Sequence, residues 1–259
     1  MKVVILCGGK GTRLKDEVEL KPKPLIEIGG KPILWHIMKS YAHFGFKDFV
    51  LCLGHKGGMI KEYFLNYEAM NNDCTISLGG KSRVTFHSNH LERDWTVTLV
   101  DTGEETQTGA RVKRIEKYIK EDLFMLTYGD GVSDVNLKKL LQFHLAHKKI
   151  GTVTGVHPSS RFGELLLGNG SCVSKFSEKP QTVKGFINGG FFVFNRKFFD
   201  YLKADEGCYL EHEPMENLAD DRQLCVYAHE GFWQCMDTRR ELDLLTRLWQ
   251  ENQAPWKVW

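Results

Sequence analysis

No apolar run in this chain approaches the roughly 20 residues needed to cross a membrane. The first, residues 3–7, breaks into glycine at once. That is too short for a signal peptide, and the expectation is a cytoplasmic protein. An excess of one charge is missing too. The 35 basic and 33 acidic residues leave a net charge of +2, which supplies no electrostatic reason for a nucleic-acid or membrane partner. The seven cysteines are scattered and never spaced C-x-x-C, which argues against structural zinc or a disulfide framework and suits reduced core thiols. Internal repeats, low-complexity tracts and linkers are absent, so residues 1–259 are expected to form one unit.

What is there is an alternation of strand and helix. Residues 3–7 and 49–53 are continuous apolar runs, as expected of strands buried on both faces. Behind Pro32, the positions Ile33, Leu34, Ile37, Met38 and Tyr41 fall on one helical stripe, and Met59, Ile60, Tyr63, Phe64 and Tyr67 repeat the period. Further strands are expected at 84–87, 96–100 and 123–127, with helices at 111–120 and 137–145. Strands then dominate, at 152–156, 164–167, 173–176 and 190–194, before a last helix at 242–249. The pattern predicts an α/β fold: a doubly wound, mostly parallel (mixed) Rossmann-like sheet with helices on both faces and a strand-rich layer in the C-terminal half. Ligands of such sheets sit beyond the carboxyl ends of the strands. Trp249, Trp256 and Trp259 suggest that the tail docks on the body or on a neighbouring subunit. His36, His43, His55, His144 and His147 match no metal-ligand spacing.

The most informative stretch is Leu6-Cys7-Gly8-Gly9-Lys10-Gly11-Thr12-Arg13-Leu14. Glycines let backbone approach an anion closely, successive N–H groups can form a concavity for it, and Arg13 adds a fork of donors. Leu14 stands where a dinucleotide fingerprint needs its third glycine, and Gly11 follows Lys10 where a Walker loop needs Ser or Thr. Both common phosphate loops are excluded, which disfavours a nicotinamide-dependent oxidoreductase. Lys21-Pro22-Lys23-Pro24 follows, with prolines holding the lysines on an extended segment. Lys21 reads as a solvated basic turn.

Gly8-Gly-x-Gly-Thr-Arg-Leu14 with Lys-Pro-Lys-Pro24 at this spacing resembles the nucleoside-diphosphate-sugar pyrophosphorylase family. The likeness continues through Tyr128-Gly-Asp-Gly131, Phe176-Ser-Glu-Lys-Pro180, Ile187-Asn-Gly-Gly190 and Trp233-Gln-Cys-Met-Asp-Thr238. Pro32–Met38, Thr98–Gly103, Gly231–Gln234 and Ala254–Lys257 are similar to the branch that couples CTP to glucose 1-phosphate, and the cytidine base rests on that likeness alone.

The resemblance implies in-line attack of a sugar-phosphate oxygen on the α-phosphorus of a nucleoside triphosphate, with Mg2+ as cofactor and a homo-oligomer as the assembly. It implies one nucleotidyltransferase domain, with 1–130 mainly for the nucleotide, 131–240 for the sugar phosphate and 241–259 a helix and tail. Arg13 and Lys23 would be catalytic, on the departing diphosphate and between the reacting phosphates. Leu6, Cys7, Gly8, Gly9, Gly11, Thr12, Arg13, Thr106, Arg111 and Gly129 would meet the nucleotide. Lys23, Tyr128, Glu178, Lys179, Asn188 and Gly189 would meet the sugar phosphate. Asp130 and Asp237 would hold the metal; otherwise Asp130 is a turn residue in Gly-Asp-Gly and Asp237 a helix N-cap before Thr238–Glu241. UTP or dTTP, another sugar 1-phosphate, and a non-catalytic nucleotide-binding subunit stay open as alternatives.

Overall fold

The structure is a computed structural model that describes residues 1–11, 14, 20–79, 83–87, 90–157, 164–167, 173–177 and 185–259. In chain order its strands are β1 (Lys2–Leu6), β2 (Glu27–Ile28), β3 (Lys31–Pro32), β4 (Asp48–Leu53), β5 (Cys74–Ser77), β6 (Arg83–Phe86), β7 (Thr96–Asp101) and β8 (Leu123–Tyr128). They continue with β9 (Gly131–Ser133), β10 (Gly151–Val156), β11 (Glu164–Leu167), β12 (Val173–Ser177), β13 (Ile187–Asn188), β14 (Phe192–Asn195), β15 (Leu224–His229) and β16 (Trp233–Cys235). The main sheet runs β7-β4-β1-β8-β14-β10 with β15 on the far edge of β10. Pairs β7·β4, β4·β1, β1·β8 and β10·β15 are parallel, while β8·β14 and β14·β10 are antiparallel. The sheet is mixed, as the alternation predicts.

Its two faces are read directly from β1. Val3 and Ile5 enter one core, with Ile33, Leu34, Ile37, Met38 and Tyr41 of the helix Ile33–His43 and with Leu242 and Leu245 of Arg239–Gln250. Val4 and Leu6 enter the other, against Val112, Ile115, Phe198 and Phe199. A strand covered on both sides has no polar face, which is why its sequence is a run and not an alternation.

Three expectations are corrected. The helix expected at 111–120 is Thr108–Arg114 followed by a 3-10 turn at Glu116–Tyr118. It starts early because the segment at 206–208 supplies acceptors there: Gln107 N donates to Glu206 O at 2.8 Å and Ala110 N to Cys208 O at 3.1 Å. The strand expected at 190–194 begins only at Phe192, and β13, at 187–188, is a separate piece along the same edge of β10. Gly190 (φ 76) and Phe191 (φ 46) turn the chain out of the ladder between them. The helical period at 59–67 is split at Asn66 into Gly57–Leu65 and Tyr67–Asn71. Strand β15 and the helix Glu213–Asp220 had no expectation at all.

The tail docks on the body. Trp256 is fully buried and its Nε1 donates to His36 Nδ1 at 3.4 Å, while His36 Nε2 lies 2.9 Å from Ile28 O. Among the described residues no helix is long and apolar enough to cross a membrane.

Candidate active site

Four parallel strands end side by side, and a glycine follows each of them: Gly8 after β1, Gly54 after β4, Gly103 after β7 and Gly129 after β8. Beyond these ends lies a cavity of about 450 Å3. Its walls are the glycine loop from Leu6 to Gly11, the 104–108 segment with Arg111, and Tyr128 with Gly129. Lys23, Asp130 and Asp237 line it as well.

Gly129 N donates to Leu6 O at 3.0 Å, which carries the β1–β8 ladder past the strand ends. A Cβ on Gly129 would lie 2.7 Å from that carbonyl, so this position admits no side chain. Gly9 faces open space, and Gly11 has φ 63. Gly8 has another reason to be glycine: its Cβ would stand 2.3 Å from the Arg111 guanidinium, and so would that of Gly54.

Arg111 passes beneath the loop, 4% exposed. Its Nη1 donates to Leu53 O (3.0 Å), Thr102 Oγ1 (2.9 Å) and Gly103 O (2.6 Å), and its Nη2 to Gly8 O and Glu104 O (3.1 Å each). The guanidinium therefore ties together the chain beyond β1, β4 and β7. Thr106, 3% exposed, accepts at its hydroxyl oxygen from Arg114 Nη1 at 2.8 Å.

Lys23 sits on a 3-10 turn, Lys23–Leu25, opened by Pro22 at φ −64. It is 8% exposed, and its Nζ donates to Asp130 Oδ2 at 2.6 Å and to Asp237 Oδ1. Burial works against the ammonium, but Asp130 and then Asp237 together outweigh it and hold Lys23 above the ordinary lysine value.

The two aspartates are neighbours because β9 and β16 pair antiparallel, Gly131 opposite Cys235 and Ser133 opposite Trp233. Met236 N donates to Asp130 O at 2.9 Å, which extends the ladder by one step and sets Asp237 beside Asp130. The alternative for Asp237 as helix N-cap is excluded. Thr238 is the N-cap, in a capping box with Glu241, whose Oε2 also accepts from Asp237 N at 2.7 Å. The Asp237 carboxylate is thereby left to the cavity side.

Two carboxylates converging on one cationic point are hard oxygen donors of the kind Mg2+ takes together with phosphates and waters. Among the described residues no group of three or more His, Cys, Asp or Glu is arranged to hold a metal ion, so a metal cage made by the protein alone is not what this set offers.

Asn188 and Gly189 lie outside the cavity lining but are tied to it. Asn188 Nδ2 donates to Tyr128 OH at 3.0 Å, and Gly189 O accepts from Trp233 Nε1 at 2.8 Å. Thr12, Arg13, Glu178 and Lys179 fall outside the described residues. Sequence reasoning missed Glu104, Glu105 and Thr108 in the wall, and Glu211, whose Oε1 accepts from Tyr128 OH at 2.7 Å. A glycine after each parallel strand was the available signal for the convergence at Arg111; nothing local marked Glu211.

The family model described as Nucleotidyl transferase matches residues 2–237. The glucose-1-phosphate cytidylyltransferases of Salmonella typhimurium and Salmonella typhi are each 48% identical over 260 residues, covering all of this chain and all of their own. Among solved structures, HddC from Yersinia pseudotuberculosis superimposes with a TM-score of 0.68 at 21% identity, over 96% of this chain and 99% of its own, a likeness of fold.

Proposed function

The chain belongs to the nucleotidyl transferase family, and on that premise we propose that it joins CTP to α-D-glucose 1-phosphate, giving CDP-glucose and diphosphate. The observation that carries this reading is the meeting of Lys23, Asp130 and Asp237 at a cavity walled by the glycine loop. The names of the Salmonella relatives support the choice of base and sugar.

The nucleophile is a phosphate-monoester oxygen, largely anionic at neutral pH because its second pKa is about 6, so no protein base has to take a proton. One P–O bond forms to the α-phosphorus of CTP while the bond to the bridging oxygen of the departing diphosphate breaks in line. The chain's share is alignment and charge neutralisation.

Leu6, Cys7, Gly8, Gly9, Gly11 and Gly129 would cradle the nucleotide, with Thr12 and Thr106 beside it and Arg13 on the leaving diphosphate. Arg111 would keep the loop in shape for it. Lys23 would offset the repulsion between the reacting phosphates, and Tyr128, Glu178, Lys179, Asn188 and Gly189 would meet the sugar phosphate. Asp130 and Asp237 would hold Mg2+, which supplies a counter-charge on the phosphate oxygens when bound.

A cytoplasmic homo-oligomer is the proposed setting.

The test is diphosphate release from glucose 1-phosphate and Mg2+ with CTP, UTP, dTTP, ATP and GTP in separate reactions. Preference for CTP, lost on chelation, is expected. Turnover with a different triphosphate would discard the cytidine assignment and keep the transfer.

A further inference from the structure

We infer that Glu211 determines which sugar phosphates the site accepts, by fixing a negative charge at its sugar end that takes neutral hydroxyls and rejects anionic ring substituents; this rests on the transfer reaction proposed above. Glu211 lies between Leu210 and the helix Glu213–Asp220, far in sequence from every other residue of the site.

Its two carboxylate oxygens hold hydroxyls from two separate segments of the cavity wall. Oε1 accepts from Tyr128 OH and Oε2 from Thr108 Oγ1, both at 2.7 Å. The bonds continue on either side: Asn188 Nδ2 donates to Tyr128 OH at 3.0 Å, and Leu210 N donates to Thr108 Oγ1 at 2.9 Å. An ionised carboxylate can only accept, so the direction of both hydroxyl bonds is set. Burial first, and then the Glu211 charge, push the Tyr128 phenol well above its usual value, so it stays a donor at neutral pH.

The carboxylate is held rigidly. The segment behind it is bonded to the start of the helix Thr108–Arg114 through Gln107 and Ala110, and a Cβ on Gly109 would meet Cys208 Sγ at 2.7 Å. No lysine or arginine among the described residues pairs with Glu211, and it is exposed at the rim. Among the described residues its charge therefore has no cationic partner, and it stands one hydrogen bond from Tyr128 and two from Asn188.

A phosphate-binding cavity gains nothing from an anion at its triphosphate end. At the sugar end the same anion accepts from ring hydroxyls and repels a carboxylate or second phosphate on the ring, which is discrimination by a repulsive element.

The experiment measures kcat/KM for glucose 1-phosphate and for glucuronic acid 1-phosphate, with CTP and Mg2+, in the wild type and in Glu211→Gln. Glutamine keeps the length and one acceptor oxygen and removes the charge. The preference for the neutral sugar should fall at least tenfold in the variant, with KM for CTP within twofold and the melting temperature within a few degrees. An unchanged preference overturns the inference. Tyr128→Phe removes the phenol and keeps the charge; it should lower both values alike, and a loss of preference equal to that of Glu211→Gln would also overturn it. Should Glu211→Gln fold poorly, the wild type still decides: an exposed charge is screened by salt, so the preference should shrink as NaCl rises from about 0.05 to about 0.5 M, and a salt-independent preference counts against Glu211. A wild type that turns over neither sugar with any of the five triphosphates sinks the transfer reaction itself, a result distinct from an active enzyme whose preference the variant leaves unchanged.

Discussion

Replacing Arg111 by alanine should cost stability before it costs chemistry. Five oxygens lose a donor: Leu53 O, Thr102 Oγ1, Gly103 O, Gly8 O and Glu104 O. The bonds to Gly103 and Glu104 are part-buried, so water entering through the cavity can replace them. The three to Leu53, Thr102 and Gly8 are buried, although Leu53 O keeps Thr102 N at 2.9 Å and Gly8 O keeps His55 N at 3.2 Å. Counting each buried loss at about 1–1.5 kcal/mol, at or below the foot of the range for charged hydrogen bonds because Leu53 O and Gly8 O keep a partner, gives about 3–4.5 kcal/mol. For a chain of this size that is a fall in Tm of about 10 °C. Arg111→Lys should recover less than half of it, since one ammonium has three donors and no planar fork. The assay is thermal melting of both variants without nucleotide, followed by KM for CTP. If Arg111→Ala melts within 2 °C of wild type while KM for CTP rises, the residue is a nucleotide ligand and the reasoning from loop architecture is refuted.

Gly8→Ala and Gly54→Ala should each lower Tm and activity because the new methyl meets the same guanidinium, whereas Gly9→Ala, facing open space, should leave Tm unchanged; a Gly8→Ala variant as stable as Gly9→Ala would contradict the packing. Asp130→Asn and Asp237→Asn should each lose most turnover at near-wild-type Tm, and a chelator should abolish activity that added Mg2+ restores; full activity in either variant removes that residue from the metal set. His36 is buried neutral, with its pKa lowered by burial to about 4. Its contribution is complete above about pH 6.5 and lost as pH falls toward 4, by about 3 kcal/mol in all. Burial lowers His144 in the same direction. Urea midpoints measured from pH 7.5 to 4.5 should therefore decline, less steeply in a folded His36→Gln variant; parallel curves would show that His36 is not the titrating group.

Helices and strands buried on both faces were legible because their signal is local. The run at 3–7 and the stripe Ile33, Leu34, Ile37, Met38 and Tyr41 became β1 and a helix with all five positions buried. Sequence reasoning passed over the edge strand β15, although its residues 224–228 are an apolar run of the same kind. The break at Gly190 and Phe191 was hidden because four apolar residues in a row look like uninterrupted strand. For the site, the glycine loop, Lys23 and the pairing of both aspartates were legible through the resemblance, while the contact of both carboxylates with Lys23 was not.

By itself the sequence determined most of the elements and the strand–helix order that makes a doubly wound sheet, because hydrophobic period and turn chemistry act over a few neighbours, and its motifs carried the resemblance to the family. Tertiary structure alone decided that Asp130 and Asp237 share one ammonium, that Arg111 serves loop carbonyls, and that Glu211 accepts from both Tyr128 and Thr108. The reason is physical: antiparallel pairing of β9 with β16 joins segments about a hundred residues apart with no local mark, and a buried guanidinium is satisfied by backbone oxygens, which every residue carries and no side chain records.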